Sequence, residues 1–180
     1  MSEKISNRME NGWPEYLADA LADIVRLQRK ELTLYREVFD MENITHYCRD
    51  ILRCLTKERM LSCMWLGRME GVYVGDERRI RQLILSVIGS MLRNDKSMTG
   101  IRIDVAKEEL GEWKDLFIIC FRNMGFRYDT AKAGREFEES LMELAASNSI
   151  AEAMGGSIRL SFAGTVPVIT LKFALERREM

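Results

Sequence analysis

The chain has 180 residues, 47% of them hydrophobic, and its 27 basic and 28 acidic side chains leave a net charge of −1. That length supports one packed core plus an appendage without metal or disulfide staples. The balanced charge offers no footprint for nucleic acid and no polybasic patch for a membrane surface.

No apolar run approaches the roughly 18 residues of a membrane span, and the opening "MSEKISNRMENG" lacks an apolar signal core. Cys48, Cys54, Cys63 and Cys120 show no C-x-x-C spacing and stand beside a single histidine, His46, so no zinc site is expected. A cytoplasmic protein with reduced thiols is the reading.

In chain order, the turn pair Asn11-Gly12 and Pro14 predict a helix from Pro14 to Val38. Leu17, Leu21, Ile24, Leu32 and Tyr35 lie on its broad apolar stripe, which calls for a partner surface. A second helix, Glu42 to Glu58, places Ile44, Cys48, Ile51 and Leu55 on one face. Short strands follow in "MLSCMWL" and "GVYV". A third helix opens at Asp76, a capping residue, and buries Ile80, Leu83, Ile84, Val87 and Met91.

"GIRIDVA" alternates as a strand, "EELGEWKD" is a hairpin turn, and "LFIICF" is a fully buried strand that breaks at Arg122-Asn123-Met124-Gly125-Phe126. A fourth helix, Arg135 to Met154, stops at Gly155-Gly156. Two alternating strands, "SIRLSF" and "VITLKFAL", end the chain. The order α-α-β-β-α-β-β-α-β-β predicts an α+β two-layer sandwich, with residues 1–38 as a docking or dimerisation helix and 39–180 as the domain.

Three segments carry a family resemblance over nearly the whole chain: "LADALADIVRLQRKELTLYREVFDMENI", "VGDERRIRQLILSVIGSMLRND" and "MGGSIRLSFAG". Their order and spacing resemble a bacterial sensor histidine kinase, from the second helix of its dimerisation hairpin through its ATPase domain. That fold is shared with gyrase, heat-shock protein 90 and mismatch-repair ATPases. The resemblance implies a nucleotide cleft, and it also locates the departures. Where the family holds magnesium and triphosphate with helix asparagines, this chain has Ser86 and Ser90, whose arms are shorter.

Aligning the first glycine box puts Arg122 at its aspartate and Met124 and Phe126 at its glycines. A guanidinium, donor only, would then face the amino group of adenine. In the second glycine box Leu141 and Glu143 replace glycines that would let backbone N–H groups approach phosphates. The expectation is that neither ATP nor magnesium binds and that no cofactor is used.

In the family, the phosphoacceptor histidine lies on the first hairpin helix, and the chain begins after it. His46 falls in the second predicted helix, so it is read as structural. The resemblance therefore implies a non-catalytic, kinase-like regulator of two-component or phosphorelay signalling, a degenerate histidine kinase that forms a homodimer or binds a histidine kinase or response regulator. Two alternatives stand beside it: ATP binding through an altered site, and a sporulation-type phosphotransferase.

Overall fold

The computed structural model describes residues 33–58, 60–94, 98–124, 144–164 and 166–178. A compact unit begins at Leu34. Its strands and helices follow in order as β1 (Glu37–Asp40), α1 (Met41–Glu58), β2 (Ser62–Leu66), β3 (Val72–Gly75) and α2 (Glu77–Asn94). Then come β4 (Gly100–Glu109), β5 (Lys114–Met124), a helix α3 over 144–153, β6 (Ser157–Ala163) and β7 (Val166–Arg177).

The strands make one sheet in the order β1-β3-β7-β5-β4-β2. β7 is long enough to hold β5 along one edge and to share the other between β6, at Val166 to Lys172, and β3, at Glu176 and Arg177. β2 and β4 run parallel, and every other pair is antiparallel. The predicted two-layer α+β sandwich is therefore the observed architecture.

Period-two alternation decides which side of the sheet is core. On β5 the odd row, Asp115, Phe117, Ile119, Phe121 and Asn123, is buried while the even row is half-buried. Ile101 and Ile103 of β4 and Ile169, Leu171, Phe173 and Leu175 of β7 are buried with it. Against this row pack Ile44, Cys48 and Leu52 of α1, Ile80, Leu83, Ile84 and Val87 of α2, and Ile150 and Ala151 of α3, all buried.

One predicted boundary is overturned. The helix expected to run to Val38 does not reach it: residues 33–36 are irregular and Glu37–Asp40 is a strand, with Val38 opposite Val74 and Phe39 opposite Tyr73. Asp76 fixes this path with two bonds. Its Oδ1 accepts the Arg79 N–H at 3.0 Å, capping α2 as expected, and its Oδ2 accepts the Tyr35 N–H at 3.0 Å.

Two helix ends share one closing geometry but not one residue type. After α3, Gly155 takes φ +72°, its N–H bonds to Glu152 O, and the Gly156 N–H reaches Ala151 O at 2.8 Å. After α1, Met60 takes φ 56°, its N–H bonds to Lys57 O, and the Leu61 N–H reaches Thr56 O at 2.8 Å. This is the left-handed stop that glycine adopts without a Cβ penalty. Met60→Gly is therefore expected to stabilise the protein by about 1 kcal/mol. The check is a higher urea midpoint at unchanged slope; an equal or lower midpoint would show that Met60 gains compensating contacts.

Candidate functional site

α2 and α3 meet at a pair of hydroxyls. Ser86 is buried, and its Oγ donates to Gln82 O at 2.8 Å, back along its own helix. The same oxygen lies 2.8 Å from Ser147 Oγ on α3. With the Ser86 proton directed to the Gln82 carbonyl, Ser147 is the donor across the seam. Ser90, one turn on, is fully buried. Ser86 is thus committed to the α2–α3 seam through its short side chain.

The end of β5 sets Arg122 and Asn123 on opposite faces of the strand. Arg122 belongs to the even row of the strand, directly opposite Arg102 of β4, and its Nε lies 3.9 Å from Asp104 Oδ2. Asp104 is held mainly by Arg102, whose Nε contacts both carboxylate oxygens at 3.0 and 2.9 Å. That hydrogen bonding keeps the Asp104 carboxyl below the usual carboxylate range. The Arg122 guanidinium thus sits on the face of the sheet opposite to the buried row of Phe121 and Asn123.

The residue turned to the helix side is Asn123, buried in the same row as Phe121. Its amide offers both donor and acceptor groups. Met124 is half-buried, and its carbonyl takes the Thr99 N–H and hydroxyl, each at 2.9 Å. Phe126, Leu141 and Glu143 lie outside the described residues, as do Leu17, Leu21, Ile24 and Leu32. Tyr35 is 67% exposed on the irregular segment before β1 rather than on a helix.

His46 is a surface residue of α1, 4.0 Å from Glu42 Oε1. All four cysteines are free thiols. Burial pushes the Cys48 thiol up to about 12, against the opposing pull of Arg81, so it stays protonated and serves as a core side chain. Among the described residues no group of three or more His, Cys, Asp or Glu side chains could hold a metal ion.

A polar cluster that the sequence gave no sign of closes the opposite end of the sheet. Asp115 is fully buried on β5 and accepts the Tyr73 hydroxyl of β3 at 2.7 Å and a hydrogen bond from Arg177 of β7. Lys107 Nζ of β4 lies 3.6 Å away, and Arg177 also pairs with Glu109 at 3.0 Å. One carboxylate is thus shared by four neighbouring strands. Its hydrogen-bond partners Tyr73 and Arg177 lie 42 and 62 residues away along the chain, too far for any local pattern to announce them.

No protein-family model matches the sequence, and no curated protein matches it. Solved structures do match by fold. The Acinetobacter baumannii histidine kinase AdeS superposes with a TM-score of 0.66 at 18% identity, over 96% of this chain and 83% of that one. Full-length ShkA, solved in complex with AMPPNP, gives 0.66 at 17% identity over 99% of this chain, which spans 39% of ShkA. The catalytic domain of the histidine kinase ThkA gives 0.54 at 12% identity, over 80% of this chain and 99% of that domain. The chain has the histidine-kinase-like ATPase fold. None of its described helices is long and apolar enough to cross a membrane.

Proposed function

We propose that this chain is a non-catalytic, histidine-kinase-like regulator in two-component or phosphorelay signalling, with a nucleotide site that no longer binds ATP. The observation that carries the reading is the Ser86–Ser147 contact of 2.8 Å. It joins α2 to α3 at the level where the family resemblance places the first magnesium and triphosphate ligand. A closed seam with short hydroxyls is a poor host for a divalent cation and a polyphosphate. On this reading the domain acts through protein contacts, with a sensor kinase, a response regulator or a second copy as partner, and the apolar stripe of Leu17, Leu21 and Ile24 serves docking.

One observation favours a second reading, residual nucleotide binding in an altered mode. Asn123 stands on the helix side of β5, where an amide can exchange hydrogen bonds with a base. Isothermal titration of the full chain with Mg-ATP separates the two. The expected result is no binding tighter than about 100 μM, roughly −5.5 kcal/mol. A tighter constant that Asn123→Ala abolishes would overturn the proposal in favour of the second reading.

A further inference from the structure

β2 ends the sheet, and its chemistry specifies what can complete it. Its inner edge runs parallel to β4 from Ser62 opposite Gly100 to Leu66 opposite Asp104, and its outer edge has no strand partner among the described residues. A row of edge N–H and C=O groups is matched along its length only by another extended backbone. Natural edges are usually blunted by charge, proline or a bulge. "SCMWL" has neither charge nor proline, whereas the other terminal strand, β1, carries Glu37 and Asp40.

We propose that β2 pairs antiparallel with β2 of a second copy, about a two-fold axis at Met64. That register sets Ser62 against Leu66 and Cys63 against Trp65 of the partner copy, a small side chain facing a large one on each face of the ladder. No charge meets a like charge, which self-pairing of β1 would not avoid, since it would set Glu37 against Asp40. Met64 and Leu66, on one face of β2, are 40% and 41% exposed, and Met60, in the turn before the strand, is 93% exposed. Met60 keeps its side chain there at the cost of a left-handed backbone. Five residues per chain fall short of the roughly 800 Å² per partner of a standard stable interface. The association is accordingly a weak, concentration-dependent dimer.

The test uses the full chain carrying Leu21→Glu and Ile24→Glu, which removes any association through the N-terminal stripe. Failure here and failure of that other interface are therefore read separately. Sedimentation velocity from about 20 μM to about 1 mM should show a reversible dimer, with its dissociation constant raised about tenfold or more by Met64→Lys. Met64 is exposed, so lysine is tolerated, and an unchanged melting curve confirms that the variant folds. A short bis-maleimide should also capture a covalent dimer through exposed Cys63, lost in Cys63→Ser. A chain still monomeric at the top concentration, or a Met64→Lys variant that dimerises as the parent does, overturns the proposal.

Discussion

Replacing Phe117 by alanine is expected to destabilise the protein by about 3–5 kcal/mol, the cost of deleting a large aromatic from a core that relaxes only partly. Phe117 is fully buried at the middle of the sheet, where three strands each contribute a ring. Tyr73 meets it edge-on with centroids 5.2 Å apart, and Phe173, its register partner on β7, stacks at 5.5 Å. Removing the central ring strips both neighbours of their contact surface, and such pairs add about 0.5–1.5 kcal/mol beyond area burial. Against a total stability of about 5–15 kcal/mol, the variant is left marginal. Phe117→Leu, which keeps most of the volume, should lose about half as much. Urea denaturation of both variants is the measurement; a loss under about 1 kcal/mol for alanine would place the ring outside the core.

How far this architecture could be read in advance depended on local periodicity. α2 repeats every three to four residues, and Ile80, Leu83, Ile84, Val87 and Met91 are buried as expected. β7 alternates cleanly, and Ile169, Leu171, Phe173 and Leu175 fill the core. In α1 the buried face is rotated from the expected one: Leu52 and Thr56 are buried while Ile51 and Leu55 are half-buried. Threonine misleads there because its hydroxyl is satisfied internally, Thr45 to Met41 O at 3.1 Å and Thr56 to Leu52 O at 2.8 Å. Polar residues can then occupy core positions without penalty.

β5 was legible as a strand, but its facing was not, for the opposite reason. Leu116 to Phe121 is apolar on both faces, so alternation is silent and the facing of Arg122 and Asn123 was open to a one-residue slip. Such a slip exchanges the two faces of a strand. β1 was missed because four residues that follow a helical pattern carry too little period-two signal of their own. Tyr35 was assigned to the preceding helix by the same extrapolation.

Asp115 was legible only in three dimensions, and it gives the stability of the sheet a dependence on pH. Burial by itself raises its carboxyl, but the hydrogen bonds from Arg177 and Tyr73 and the charges of Lys107 and Arg177 outweigh burial and hold it below the ordinary carboxylate range. Unfolding returns the group to its ordinary value of about 4. The unfolded chain therefore takes up the proton at a higher pH than the folded one. The stability that Asp115 contributes is complete above that ordinary value and is lost as pH falls through the lower, native one.

Tyr73 supplies the complementary limit. Burial first, then its bond to Asp115, raises its hydroxyl above the usual range, so its contribution fades in alkali above about pH 10. Asp115→Ala should cost about 3 kcal/mol at neutral pH, the lower end for breaking a buried pair, because Arg177 is part-exposed and keeps Glu109. Asp115→Asn removes the charge while keeping the shape. Its urea midpoint should accordingly fall less than that of the wild type between about pH 5 and pH 3. Parallel acid profiles for the two proteins would show that this carboxylate is not the group whose protonation loosens the sheet.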